Sequence, residues 1–318
     1  MKRFPLFEAL GAQYPILMAP MFLVTNTQMM VAALKSGITA AVPALNYRTD
    51  SALREAIGEI RRQTDKPFGV NLIVNKSNIK YRQQLKTCAE LKVGFIITSL
   101  GNPKETIELC KPLGIKVFCD VVDLLYAKKV ADLGADAVIA VSSAAGGHAG
   151  NLKPEELVPL LKKQLPIPVI SAGGIATSAD LEQALELGAD GVSVGTAFIA
   201  SNEAGVSEEY KQALVEYSAK DIILTKIISG TPLTVINTPY MQSLGNHQGF
   251  LNKLMYKNKF LKKYIKMLIA FRGMKTIEHA ASKATYKTVW VAGTSIEDIH
   301  KIRPVSEIVA SLTKSLIK

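Results

Sequence analysis

The stretch Ala140 to Gly150, AVSSAAGGHAG, sets one histidine among glycines directly after an apolar run. Gly146 and Gly147 before His148, and Gly150 after it, free the loop to bring the imidazole close to a ligand. With an ordinary pKa near neutrality, such a ring serves as a base or holds a developing charge. Gly173 and Gly174 in SAGGIATS, and Gly195 with Thr196 in GTAF, let backbone N–H groups approach an anion, which suits a phosphate. Thr177 or Ser178 is the expected N-cap of the next helix, adding a positive dipole end. Asn71 in GVNLIV is a lone amide in an apolar run. Its donor and acceptor suit the edge of a heteroaromatic cofactor, and Pro20-Met21 would put a soft side chain near a ring system. Each group has a plainer reading: glycines in tight turns, an asparagine bonded to backbone, a methionine in the core. The elements that carry them decide between the two.

Eight β-branched apolar runs recur through the first 200 residues: PILMAP (15–20), ITAAVPA (38–44), PFGVNLIV (67–74), GFIITSL (94–100), IKVFCDV (115–121), DAVIAVSS (136–143), IPVISAGG (167–174) and DGVSVGT (190–196). Runs of this length bounded by Gly or Pro suit strands buried on both faces of a parallel sheet. Amphipathic stretches lie between them, two ending in Gly134 and Gly188, where a left-handed residue past a helix is wanted. About eight strand–helix units predict an α/β fold, a closed (β/α)8 TIM barrel over 1–221 with its eighth helix near EEYKQALVEYSA. Residues 222–318 read as a mainly helical appendage covering one end. In such a barrel the active site lies at the C-terminal ends of the strands, and the loops after strands seven and eight are a frequent phosphate site. His148 follows strand six, and Asn71 lies in strand three.

The chain has 318 residues, 48% of them hydrophobic, and a formal charge of +11. That charge is local. Ten lysines and arginines against Glu278 put +9 of it between Lys253 and Lys287, around a lysine-rich helix expected near 253–270. The main body therefore does not read as a nucleic-acid binder. Cys88, Cys110 and Cys119 show no metal-ligand spacing and read as buried residues in a reducing compartment; no metal is expected. Pro5, Glu8 and Pro15 interrupt the N-terminal apolar residues, and no apolar run reaches the roughly 20 residues that cross a bilayer. The expected location is cytoplasmic.

Read together, PILMAPM, GVNL, AGGHAG, PVISAGGI, LGADGVSVGTAF, ISGTPLTVIN and the terminal WVAG…RPVSEIV resemble the flavin-dependent nitronate monooxygenases, formerly 2-nitropropane dioxygenases. That family shares its fold with flavin-dependent enoyl-ACP reductases and some NAD(P)H:quinone reductases. The resemblance implies a flavoprotein holding FMN non-covalently, with Gly173, Gly174, Gly195 and Thr196 on its phosphate. Pro20, Met21 and Asn71 would lie by the isoalloxazine, with Gly146 and Gly147 also against the cofactor. His148 would be the catalytic histidine of an oxidoreductase that converts alkyl nitronates and O2 to a carbonyl compound and nitrite. The rival expectation is an NAD(P)H-dependent reductase of enoyl thioesters or quinones. A purine-nucleotide dehydrogenase would need a loop cysteine after strand six, and none follows Cys119. Expected partners are a small-molecule substrate and O2, with NAD(P)H and a second copy of the chain as further candidates. The family commonly carries Gln-Gly-x-Glu-Ala before its Gly-Gly-His, where this chain has Val141-Ser142-Ser143-Ala144-Ala145. Its terminal Ala-Gly-Gln is here Ala292-Gly293-Thr294.

Overall fold

The computed structural model describes residues 3–76, 78–228, 232–245 and 289–317. Eight strands form within the apolar runs: β1 (Ile16–Met18), β2 (Thr39–Pro43), β3 (Gly69–Ile73), β4 (Phe95–Ser99), β5 (Lys116–Val121), β6 (Ala137–Val141), β7 (Val169–Ala172) and β8 (Gly191–Val194). Each pairs with the next, and parallel pairing of β1 with β8 closes the barrel. The helices α2 (Thr27–Lys35), α3 (Asp50–Gln63), α4 (Tyr81–Glu90), α5 (Lys104–Cys110), α6 (Leu124–Asp132), α7 (Pro154–Gln164) and α8 (Ser178–Glu186) follow β1 to β7 in turn, after a short α1 (Pro5–Ala9). Gly134 and Gly188 take φ of +95° and +98° just past α6 and α8, as their positions require.

Strand alternation divides the core into two clusters. Leu17, Ala41, Phe95, Ile97, Phe118, Ile139 and Ile170 fill the barrel interior together with Phe7 and Leu10 from the α1 region. The intervening residues, such as Val70, Ile96, Val117 and Val138, pack outward with the helices. Space inside is set by glycines opposite aromatic rings. A Cβ on Gly69 would fall 2.2 Å from Phe95 Cε2, and one on Gly191 would fall 2.1 Å from Phe7 Cε2. Phe95 and Phe118 stack with centroids 4.9 Å apart. Cys88, Cys110 and Cys119 are buried, and burial pushes each thiol up to about 12.

The end of the ring differs from the expected order. After β8 the chain makes a single turn, α9 (Thr196–Ile199), and then α10 (Glu208–Glu216) where the eighth helix was expected. The seam is instead closed by the C-terminal helix, labelled α12 (Val305–Leu312), which packs against both α2 and α8. Its apolar face, Val305, Ile308, Val309 and Leu312, is fully buried in that contact. The segment beyond residue 221 opens with an antiparallel pair, β9 (Ile222–Thr225) and β10 (Leu233–Ile236), followed by α11 (Pro239–Gly245). The lysine-rich helix expected near 253–270 lies outside the described residues. Among the described residues no helix is long and apolar enough to cross a membrane.

Gly69→Ala is expected to destabilise the fold by about 1–3 kcal/mol through overpacking. Adding Phe95→Leu should return part of that loss, so the two changes are non-additive in urea melts. Additive costs would show that the ring does not set the need for glycine.

Candidate active site

The loop after β6 is folded back and held from both sides. Ser142 donates through N and Oγ to the Ala172 carbonyl at 3.0 and 2.9 Å, tying the loop to the end of β7. Gly150 N returns to Ser142 O at 3.2 Å, and a Cβ on Gly150 would meet Val141 O at 2.4 Å. From the C-terminal segment, Thr234 donates through Oγ1 to Ala145 O at 2.7 Å and through N to Gly147 O at 2.8 Å. Gly293 N donates to Thr196 Oγ1 at 3.0 Å, and a Cβ on Gly146 would lie 3.0 Å from that same Gly293 nitrogen. Gly146 is thus a packing glycine, and Gly147, at φ +80°, is a turn glycine that receives β10. They hold the loop that presents His148. The imidazole is open to solvent by surface area, yet enough protein surrounds it for burial to lower its pKa. It is neutral at pH 7, the form that accepts a proton.

At the ends of β7 and β8 the glycines separate into two kinds. Gly173 and Gly174 adopt φ of +108° and +79°. A Cβ on Gly173 would fall 2.5 Å from Ala145 N and 2.6 Å from Ser142 Oγ, so the protein itself requires glycine there. Gly195 is different. Its φ is −113°, and a Cβ would find nothing nearer than Ala19 Cβ and Met21 Sδ at 3.7 Å. Neither backbone nor neighbours demand glycine at that position. Among the described residues the amides of Gly174, Ile175 and Gly195 have no protein acceptor. Thr196, which receives Gly293 N on Oγ1, keeps its hydroxyl hydrogen to donate. These groups form an anion cradle.

One expected contribution to that cradle is corrected. Thr177 is the N-cap of α8, as expected, but the helix start is closed by a capping box. Asp180 Oδ2 accepts from Ala176 N at 3.0 Å and Thr177 N at 2.8 Å. The positive end of the dipole is answered by this carboxylate and adds little for a ligand. A cleft of about 350 Å³ runs outward from the glycines between α7 and α8, lined by Ser143, Ala144, Lys153, Gly173, Gly174 and Thr294 among others.

Asn71, on an inward position of β3, is 7% exposed. Its Nδ2 donates to Ile97 O at 3.1 Å and to Ser99 Oγ at 2.7 Å. The carbonyl of Ile97 only accepts, which fixes the amide with Oδ1 on the other side. That oxygen has no donor among the described residues and is not among the fully buried unpaired atoms, so it opens to the mouth. The plain reading of Asn71 is met in part: one backbone carbonyl and one side-chain hydroxyl take its amide hydrogens. Met21 lies beside Gly195, joining the β1 and β8 loops, and its N–H is held by Thr25 Oγ1 at 3.0 Å. Pro20 beside it is half-buried. Two polar residues not singled out from the sequence join this floor. Ser99 Oγ lies 2.5 Å from Asp120 Oδ2, linking the ends of β4 and β5. The available signal was a carboxylate inside the apolar run IKVFCDV.

The nitronate monooxygenase family model matches residues 76–315, three quarters of the chain, including His148 and the glycines of β7 and β8. The chain belongs to the nitronate monooxygenase family. A Rhodococcus jostii (strain RHA1) relative, (3aS,4S,5R,7aS)-5-hydroxy-7a-methyl-1-oxo-octahydro-1H-indene-4-carboxyl-CoA dehydrogenase, is 31% identical over 81% of this chain and 73% of its own. A probable nitronate monooxygenase of Staphylococcus aureus (strain JH9) is 29% identical over 86% and 89% of the two chains. The solved structure of FabK from Thermotoga maritima superposes with a TM-score of 0.87 at 30% identity, covering 100% of this chain and 97% of that one. Like the members of this family, the protein is a flavin oxidoreductase. Asn71, Pro20 and Met21 precede the stretch that the family model matches.

Burial of His148 places its titration below the ordinary value of 6.5. NMR of the imidazole Cε1–H should show a midpoint under 6.5, absent from His148→Ala spectra. A midpoint above 6.5 would require an anionic partner in place of desolvation.

Proposed function

We propose that this chain binds FMN across the barrel mouth and oxidises alkyl nitronates with O2 to a carbonyl compound and nitrite. The observation that carries the reading is the cradle at β7 and β8. Among the described residues it has unpaired amides at Gly174, Ile175 and Gly195, and a glycine at 195 that no contact there requires. Three strands from β8 and four from β7 around the closed barrel, Asn71 offers a lone acceptor. The residues fit an elongated ligand with an anionic end and a ring edge that carries an N–H, as FMN has. Gly173, Gly174, Gly195 and Thr196 would hold the phosphate, and Asn71, Pro20 and Met21 would line the ring. Gly146 and Gly147 serve the site by fixing the loop.

FMN supplies the electron-accepting chemistry when bound. The chain's own part is orientation and one proton. His148, neutral at pH 7, takes a proton from the carbon next to the nitro group of a neutral nitroalkane, or holds the anion when the nitronate arrives preformed. Hydrogen bonds to Thr234, Thr294 and Ala172 hold its loop. O2 is the co-substrate.

A second reading is an NAD(P)H-dependent reductase acting on an enoyl thioester or a quinone. The whole-chain likeness to FabK at 30% identity and the carboxyl-CoA dehydrogenase among the relatives favour it. The loop itself weighs the other way, because Val141 and Ala144, in place of the Gln and Glu of the resembling family, depart from a standard enoyl-ACP reductase.

Purified protein should be yellow with an oxidised-flavin absorbance band; protein that stays colourless when mixed with FMN sinks both redox readings. Anaerobic bleaching by an alkyl nitronate but not by NADPH supports the monooxygenase, and rapid bleaching by NADPH supports the reductase. Gly195→Leu should lose FMN uptake while melting within a few degrees of the parent apoprotein. His148→Ala should keep FMN and lose about a hundredfold or more on neutral nitroalkanes, with little change on preformed nitronates. Equal losses on both substrates would remove His148 as the proton-abstracting base.

A further inference from the structure

Asp120 is a carboxyl group that the reaction above does not use, and its place in the barrel is specific. Inward positions on β5 alternate, so Asp120 lies one step above Phe118 of the interior cluster and opens toward the mouth. Among the described residues its only hydrogen-bond partner is Ser99, and no cation pairs with it. Ser99 in turn accepts the Asn71 amide at 2.7 Å. The chain Asn71 → Ser99 → Asp120 therefore runs in one direction across the ends of β3, β4 and β5. With Asp120 as the terminal acceptor, the Ser99 hydrogen is committed to the carboxylate and its lone pair to the amide. The Asn71 carbonyl is left facing the mouth. On the neighbouring strand, where the resembling family carries Gln, this chain has the apolar Val141. Asp120 is thus a carboxylate on the floor beside a strand whose end is apolar.

We propose that Asp120, acting through Ser99, is a positioning residue for the flavin: it locks the Asn71 amide with its carbonyl toward the ring and sets a carboxylate beside that ring, making it harder to reduce. The inference rests on the FMN reading of the mouth. The physical ground is that a fixed negative charge with little solvent around it opposes added electrons. Burial already pushes the Asp120 carboxyl up to about 6, with the Ser99 hydrogen bond working against the shift. The carboxylate is therefore present at pH 8 and lost as pH falls through that value.

The test is the midpoint potential of the bound flavin in the full-length holoprotein, measured at pH 8 and at pH 5. Asp120→Asn should raise the potential at pH 8, and the gap to the parent should close at pH 5. Other titratable groups facing Asp120 do not produce that pattern. Cys119 of β5 is pushed up to about 12, Tyr126 of α6 is also raised, and β4 and β6 present none. His148, whose pKa burial lowers, is common to both proteins and cancels in the difference. Ser99→Ala is the second variant. It keeps the carboxyl and removes its donor, so the potential should change with pH at a higher value than in the parent, and FMN should bind several-fold more weakly. Potentials at pH 8 matching the parent in Asp120→Asn, or a Ser99→Ala profile superimposable on the parent's, overturn the inference. A protein that takes up no FMN overturns the function reading instead, so the two failures are distinct.

Discussion

Closing eight parallel strands creates an interior that must be filled from alternate residues of every strand, and the mouth inherits whatever that filling leaves. Here the lower interior is dry and aromatic. Phe95 and Phe118 stack across neighbouring strands, Phe7 enters from α1, and Gly69 and Gly191 yield the space these rings occupy. The filling stops short of the strand ends on β3 to β5. Asn71, Ser99 and Asp120 take the next inward positions, on an apolar base that admits no competing polar partner. Their hydrogen-bond directions are set by the chemistry of the partners, because the Ile97 carbonyl and the Asp120 carboxylate can only accept.

The second half of the mouth is shaped by chain that is remote in sequence. The His148 loop takes its form from hydrogen bonds to Ala172, Thr234 and Thr294. This gives the glycines of the site different meanings. Gly146 and Gly173 are small because backbone or side chain lies within 3.0 Å of where a Cβ would be. Gly147 and Gly174 are needed for their positive φ. Gly195 alone among these five satisfies neither condition, which makes it the position whose smallness serves a ligand.

Much of the barrel was legible in the sequence. All eight strands fall inside the expected runs, trimmed by a residue or two, because a strand buried on both faces leaves an uninterrupted apolar signature. Thr177 and the glycines at 134 and 188 were equally clear, since caps are local. What escaped was non-local. The capping carboxylate of Asp180 cancels a helix end that the sequence presents as free. The ring is completed by α12 rather than α10, a choice made by which amphipathic face fits the seam between α2 and α8. Asp120 sits inside an apolar run whose periodicity does not say which face it takes; only the strand pairing shows that it points inward and meets Ser99.

The position of α12 also bears on how the molecule is made. β8 ends at Val194, yet the helix that covers the seam between its neighbours begins at Val305. During synthesis the strands emerge long before the element that shields α2 and α8, so a nascent barrel waits with an apolar strip exposed. Contacts between Thr27–Lys35 and Val305–Leu312 close nearly the longest loop the chain allows, and such closures come late. The same late segment brings Gly293 to Thr196 and so shapes the mouth. A chain halted before that segment would hold most of its strands and no finished site, which ties the appearance of the binding mouth to the last stage of translation.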